Sequence, residues 1–155
     1  MSIEYNEDNL VEQATVDILA DIGWDIQTAW HNEIFGVTSN VNGSLGRENK
    51  SEVILQKYLL VALENLNPDL PQSVYKDAYL QIAQREADKT LDRANKEKYE
   101  LIKSGVKVSF TNDDGELTRK TLKVFDFNNP ENNHFLAVRQ LEVTGELYNR
   151  RPDVI

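Results

Sequence analysis

Glu142-Val-Thr-Gly-Glu-Leu-Tyr-Asn-Arg-Arg-Pro-Asp-Val-Ile155 is the stretch on which the fold prediction rests, because it sets a Pro152-Asp153 pair before two β-branched residues. Proline cannot donate a hydrogen bond to a strand ladder, so it belongs at the first residue of a strand or at a sheet edge. Val154 and Ile155 are typical of the start of a buried strand. We therefore expect Asp153 at the mouth of a strand, and a chain that stops within its fold.

The composition favours a folded domain without disulfides. The chain has 155 residues, of which 40% are hydrophobic, and this suits a single domain over residues 1–155. It has no cysteine, which excludes disulfides and thiolate metal sites and is typical of a cytoplasmic protein. No apolar run approaches the roughly 18 residues of a membrane span, and the acidic start has no signal-peptide pattern, so we expect no membrane partner.

The charge balance restricts how the chain could meet nucleic acid. The formal net charge is -9 at pH 7. Such a surface repels DNA or RNA at long range. A nucleic-acid function would therefore require a local site, a metal ion, or basic parts that lie elsewhere.

Helical patterns occupy the first two thirds of the chain. The first helix is predicted to begin near Asn6 or Asp8, which are suitable N-caps, and to end at Gly23. A second covers residues 49–66 and is ended by the prolines that follow it. A third, apolar at first and then mostly charged, covers residues 72–104.

Strand patterns dominate the remainder. Residues 106–110 alternate, residues 112–115 form a hairpin turn, and residues 116–127 return. Residues 135–143 alternate with apolar residues on both faces, which is typical of a strand inside a sheet. The order predicts an α+β fold in which N-terminal helices pack on a mixed sheet with a β-hairpin.

Glu12 stands at the flank of the apolar stripe of the first helix. An acid in that position is either solvated at the edge of the core or directed into a site, and the solvated alternative is the more common. His31 has no partner at metal-ligand spacing and is interpreted as structural or exposed, and Asp126 and Gln140 as structural polar groups. The predicted stripe is formed by Leu10, Val11, Ala14, Ile18, Leu19 and Ile22.

Several short motifs follow one another in an order that resembles a known family. They are Glu12 with Ile22-Gly-Trp24, Glu52-Val-Ile-Leu55, Ala62-Leu-Glu-Asn-Leu-Asn-Pro-Asp-Leu-Pro71, Ser104-Gly-Val106, Val124-Phe-Asp-Phe-Asn-Asn-Pro-Glu-Asn-Asn-His-Phe135, Arg139-Gln-Leu-Glu-Val143 and Pro152-Asp153. Together they cover nearly the whole chain. The set resembles the N-terminal nuclease region of the restriction (R) subunit of type I restriction-modification enzymes.

The resemblance implies a restriction-endonuclease-like core of the PD-(D/E)xK type. In such a core, carboxylates hold Mg²⁺ against the scissile phosphate and a lysine positions or activates water. By resemblance, Asp153 is the first metal-binding acid and Glu12 is the helix acid that borders the site. We expect their carboxyl groups within roughly 10 Å of each other, which leaves space for a metal ion or water.

The chain departs from the family pattern after Asp153. No E-x-K motif follows, and the ATP-driven motor of the family is not in the sequence either. We therefore expect weak Mg²⁺ binding, ATP use only through the missing motor, and no DNA cleavage by this chain alone. In the intact enzyme, the resemblance implies DNA and the modification and specificity subunits as partners, with unmodified DNA cleaved in an Mg²⁺- and ATP-dependent complex.

An alternative belongs to another class of function. The net charge of -9 and the missing E-x-K motif favour a non-catalytic acidic interaction or assembly domain. The ordered motifs favour the restriction subunit. The sequence leaves the DNA target and the oligomeric state open.

Overall fold

The computed structural model describes residues 11–36, 43–84, 89–145 and 147–155, and it has the α+β architecture that the sequence predicts. The predicted start of the first helix near Asn6 or Asp8 lies outside these residues. The chain divides into two compact units, residues 1–57 with 134–155, and residues 58–133. That the whole chain forms one domain of restriction-endonuclease-like class stays a prediction.

After α1 and β1, the described elements are three helices followed by five short strands. In chain order they are α1 (Gln13–Asp21), β1 (Asp25–Thr28), α2 (Gln56–Leu66), α3 (Gln72–Ala83), α4 (Leu91–Ser104), β2 (Val106–Thr111), β3 (Leu117–Leu122), β4 (Leu136–Arg139), β5 (Val143–Thr144) and β6 (Asn149–Arg150). Single 3₁₀ turns follow β1 at Trp30–Asn32 and precede β4 at Pro130–Asn132. Among the described residues, no helix is both long and apolar enough to cross a membrane.

β4 is the central strand of the first unit. It pairs in parallel with β1, from Asp25 opposite Leu136 to Thr28 opposite Arg139. On its other edge, residues 153–155 run antiparallel: Val138 and Ile155 exchange two backbone hydrogen bonds of 2.9 and 3.0 Å. Ala137 and Val138 are both buried although they point to opposite faces. The prediction of an internal strand here is confirmed, and the sheet is mixed.

The strand predicted over residues 135–143 is wrong in its length. β4 ends at Arg139, because Gln140 has a φ of +54°, in the left-handed region. This backbone angle does not continue a ladder and costs a non-glycine residue about 1–2 kcal/mol. Val143 and Thr144 instead pair with Asn149 and Arg150 in a separate hairpin.

α1 buries a different face from the predicted one. Val11, Ile18 and Ile22, which belong to the predicted apolar stripe, are 60%, 63% and 66% exposed. Val16 is buried at 6% exposure, and Glu12, one turn before it, is buried at 8%. The helix therefore packs through the flank of the stripe, and the expectation that the whole stripe covers the sheet is wrong.

A buried arginine orders the connection between β1 and α2. Arg47 is 0% exposed and donates to both carboxylate oxygens of Glu33, at 2.7 Å from Nε and 2.5 Å from Nη2. Its Nη1 donates to the carbonyl oxygen of Glu52 at 2.8 Å, and Nη2 to that of Glu142 at 3.0 Å. The ring of Phe35 lies 5.6 Å from the guanidinium carbon. The connection is thus built around one satisfied ion pair.

The second unit packs α3 on the β2–β3 hairpin. The hairpin is antiparallel from Val106 opposite Leu122 to Thr111 opposite Leu117, as predicted. Asn67 joins this hairpin's end to α2: its side chain donates to the carbonyl oxygen of Lys123 at 2.8 Å and accepts from that residue's N–H at 2.8 Å. The buried apolar residues of this unit are Leu63, Val74, Tyr75, Ala78, Ile82, Val106, Val108 and Leu122.

The single helix predicted over residues 72–104 is wrong, because α3 ends at Ala83 and α4 begins at Leu91. Gln84 is extended, with a ψ of 129°, and residues 85–88 lie outside the described part of the chain. Lys98 of α4 donates to the carbonyl oxygens of Gln81 and Gln84, at 2.7 and 2.8 Å. A cation thus satisfies carbonyl groups that the end of a helix leaves without partners.

Candidate functional site

Glu12 lies on the inner side of α1, at the residue that precedes the helix. The interpretation of Glu12 as a solvated edge residue is therefore wrong. Arg139, the last residue of β4, donates from Nη2 to Oε2 of Glu12 at 3.3 Å. The same guanidinium donates from Nη1 to Oε1 of Gln13 at 3.2 Å. These bonds join the start of the helix to the end of the central strand.

Gln140 brings the two predicted site acids together. Its Nε2 donates to Oε1 of Glu12 at 2.7 Å and lies 3.4 Å from Oδ1 of Asp153. Since both carboxyl oxygens lie within hydrogen-bonding distance of one nitrogen, Glu12 and Asp153 lie close together, as expected from the family resemblance. Gln140, interpreted from the sequence as a structural polar group, thus contacts both acids of the predicted site.

Asp153 reaches the site because its backbone pairs with the strand end. The N–H of Gln140 donates to the carbonyl oxygen of Asp153 at 3.0 Å, and Val154 forms a bridge with Arg139. Arg139 and Gln140, at the end of β4, thus pair with the backbone of residues 153–154. Asp153 itself is exposed, whereas Glu12 is buried. The site therefore has one acid held in the protein and one open to solvent.

An aromatic residue borders the site on the side of β1. The N–H of Trp30 donates to the carbonyl oxygen of Gln140 at 3.2 Å. The guanidinium carbon of Arg151 lies 4.3 Å from the centre of the Trp30 ring, and the ring of His31 stacks on it with centroids 4.3 Å apart. His31 is exposed.

The donor set is chemically suited to a hard divalent cation. Mg²⁺ is bound in proteins through one or two carboxylates together with water and substrate phosphates. Glu12 and Asp153 supply two carboxylates, and the Gln140 amide carries an oxygen as well as the nitrogen that faces them. Within residues 11–36, 43–84, 89–145 and 147–155, no group of three or more His, Cys, Asp and Glu side chains is placed to hold a metal ion. The described site would thus supply part of a coordination shell.

Asp126 forms a separate polar centre in the second unit. It is 4% exposed and accepts hydrogen bonds from the side-chain amide of Asn132 and the backbone N–H groups of Asn128 and Asn129, each at 3.2 Å. Lys123 lies 3.3 Å away. The Asn132 amide above all, with the Asn129 N–H and Lys123, lowers the pKa of Asp126 from 3.8 to about 2, against the opposing effect of burial. These contacts fit the predicted structural role.

Sequence reasoning missed the parts that Arg139 and Gln140 play at the site. The alternation of apolar residues over residues 135–143 hid them, because it predicts a regular strand through both. The signal that could have found them is the pair of adjacent polar residues inside an otherwise apolar strand, in a motif that the resemblance already contained.

The chain is similar to curated type I restriction enzyme subunits. It is 31% identical over 150 residues to the type I restriction enzyme HindI endonuclease subunit of Haemophilus influenzae. The aligned region covers 96% of this chain and 13% of that protein. It is 28% identical over 158 residues to the putative type I restriction enzyme MjaIXP endonuclease subunit of Methanocaldococcus jannaschii. Here the aligned region covers 97% of this chain and 14% of that protein. This chain thus spans about a seventh of these relatives. No solved structure matches it.

The family comparison covers nearly every residue. The model of the type I restriction enzyme R protein N terminus matches residues 4–155, a range that includes Glu12, Gln140 and Asp153. The chain belongs to the family of the type I restriction enzyme R protein N terminus, as its ordered motifs predicted.

Proposed function

We propose that this region is the nuclease part of a type I restriction R subunit, in which Glu12 and Asp153 hold the divalent cation used to cleave unmodified DNA. The observation that carries the proposal is the convergence of both acids on the Gln140 amide, from a helix and from the edge of a mixed sheet. The family to which the chain belongs supports the restriction role. Modification and specificity subunits and DNA are the proposed partners.

The bound cation, proposed to be Mg²⁺, would supply Lewis-acid stabilisation of the scissile phosphate and a metal-bound water of lowered pKa. The residues of this chain would bind and orient it. Glu12 has little freedom, because Arg139 and Gln140 hold its two oxygens separately. Asp153 is exposed, so it is the acid that a phosphate and its cation can reach from solvent. A further strand with an E-x-K motif, which the family resemblance implies, would complete the donor set.

The proposal is tested in the assembled enzyme. We expect the R subunit that carries this region, combined with its modification and specificity subunits, to cleave unmodified plasmid with Mg²⁺ and ATP. Glu12→Gln and Asp153→Asn should each abolish cleavage, because each removes a charged metal ligand, while ATP hydrolysis continues. Asp113→Asn is the matched control, since it removes a carboxylate charge from the exposed turn of the β2–β3 hairpin in the second unit. Its cleavage should be unchanged.

Two results would contradict the proposal. Cleavage that persists in both acid variants would remove Glu12 and Asp153 from the chemistry. Loss of ATP hydrolysis together with cleavage would show that the variants act on assembly, and it would favour the alternative of an acidic assembly domain.

A further inference from the structure

Gln140 combines an unfavourable backbone conformation with contacts to both acids. Its φ of +54° is uncommon for a residue other than glycine, asparagine or aspartate. Such a conformation persists where the surrounding structure determines it, and it is concentrated at functional sites. Here the main chain of Gln140 accepts a bond from Trp30 and donates one to Asp153, so both neighbours of β4 fix the residue.

The side chain meets two acceptors with one donor group. A primary amide has two N–H bonds, and an ionised carboxylate can only accept. The Nε2 atom, at 2.7 Å from Glu12 and 3.4 Å from Asp153, is placed to donate to both. Two carboxylates side by side repel each other, and a donor between them offsets that repulsion.

We propose that Gln140 is a positioning residue, whose amide holds the Glu12 and Asp153 carboxylates together before a divalent cation arrives. This inference rests on the proposed function in one respect, since it takes the two acids as the cation's ligands. The amide nitrogen lies within hydrogen-bonding distance of one oxygen of each carboxylate. A cation that enters the site therefore meets a pair of acids already close together, and the entropic cost of assembling the site is reduced.

The test uses Gln140→Gly in the 155-residue chain. Glycine adopts a φ of +54° without the steric cost that a side chain imposes, so the backbone bond to Asp153 is kept, and this gain offsets part of the stability lost with the bond to buried Glu12. Mn²⁺ is the probe, followed by paramagnetic broadening of the backbone amide signals near Glu12 and Asp153. We expect Gln140→Gly to weaken Mn²⁺ binding about ten-fold or more, as loss of a group that orients metal ligands does.

Two control variants separate the causes. Asp153→Asn should abolish the broadening at this site, and Asp113→Asn, in the exposed turn of the β2–β3 hairpin, should leave the affinity at the wild-type value. A crystal structure of Gln140→Gly supplies a readout without metal: the Glu12 and Asp153 carboxyl oxygens should lie farther apart than in the wild-type chain.

The outcomes distinguish this inference from the function on which it rests. Wild-type affinity in Gln140→Gly, or unchanged carboxyl positions in its crystal structure, would overturn the positioning role. If the wild-type chain shows no broadening at Glu12 and Asp153, the proposed cation site fails, and the carboxyl positions in the variant still decide whether Gln140 holds the two acids together.

Discussion

Single buried polar residues determine much of the local structure. The guanidinium of Arg47 has four hydrogen bonds, two to Glu33 and one each to the backbone carbonyl groups of Glu52, five residues away, and of distant Glu142. The buried charge is thereby fully paired, which is the condition under which a protein tolerates it. A lone arginine after Gly46 gives no periodic signal, so its burial could not be predicted from the sequence.

Arg47→Ala should destabilise the chain by about 3–5 kcal/mol, because it leaves the Glu33 carboxylate buried without its partner. Arg47→Lys should not restore the stability, since an ammonium group cannot make the paired contacts of a planar guanidinium. Urea denaturation followed by circular dichroism measures both. Arg93→Ala, at an exposed ion pair, is the control and should have little effect. Wild-type stability in Arg47→Lys would contradict the account of this ion pair.

The stability contributed by Asp126 should depend on pH in a defined direction. Its pKa is lowered from 3.8 to about 2, so the folded state favours the ionised carboxylate. The stabilisation is fully present above pH 3.8 and is lost as the pH falls through about 2. Asp126→Asn should therefore be less stable than the wild type at pH 7, and the difference should shrink towards pH 2. Urea denaturation at a series of pH values measures this.

Asp113→Asn is the control for Asp126, because Asp113 is exposed in the turn of the β2–β3 hairpin. Its stability should follow that of the wild type at every pH. A difference between Asp126→Asn and the wild type that stays constant down to pH 2 would mean that ionisation of Asp126 is not what stabilises its turn.

At the scale of elements, α1 shows where periodicity alone is ambiguous. Val11, Ile18 and Ile22 have helical spacing and form a plausible core face, yet they are exposed. The buried face contains Val16 and an acid, and a pattern that counts apolar residues ranks such a face lower. The charge on Glu12 is tolerated there because Arg139 and Gln140 bind it. That tertiary partnership is not visible in the sequence of the helix.

The two faces of α1 should respond differently to the same kind of truncation. Val16→Ala removes buried apolar volume and should cost about 1–2 kcal/mol of stability. Ile18→Ala removes a larger but exposed side chain and should change stability by less than about 0.5 kcal/mol. Thermal and urea denaturation of the two variants measure this. A larger loss of stability in Ile18→Ala than in Val16→Ala would mean that the face predicted from the sequence is the buried one.

At the scale of the whole molecule, the fold class and the family were predictable from the chain. The α+β class, the β2–β3 hairpin and the internal position of β4 follow from alternation and turn residues. The break at Gln140 was not predictable in the same way, because its left-handed backbone depends on partners contributed by β1 and by residues 153–155. The convergence of Glu12 and Asp153 came from the resemblance and could not come from spacing, since 140 residues separate them.

The 155-residue chain should not cleave DNA on its own. It supplies two carboxylates, and Mg²⁺ keeps its own waters unless more ligands or a phosphate replace them. Its net charge of -9 also opposes the approach of a polyanion. A chain extended through a strand with an E-x-K motif should gain Mg²⁺-dependent nicking of supercoiled plasmid, which EDTA and Asp153→Ala should abolish. Metal-dependent and Asp153-dependent cleavage by the 155-residue chain would contradict this expectation.

The central proposal is that Glu12 and Asp153 jointly bind a divalent cation that is used in DNA cleavage. Its most direct test is the anomalous scattering of Mn²⁺ in crystals of the R subunit that carries this region. The account predicts one peak at about 2.0–2.6 Å from a carboxylate oxygen of each acid, in the range of divalent cations bound by oxygen ligands. A fully occupied Mn²⁺ site elsewhere in the nuclease region, with Glu12 and Asp153 still joined only through Gln140, would contradict it.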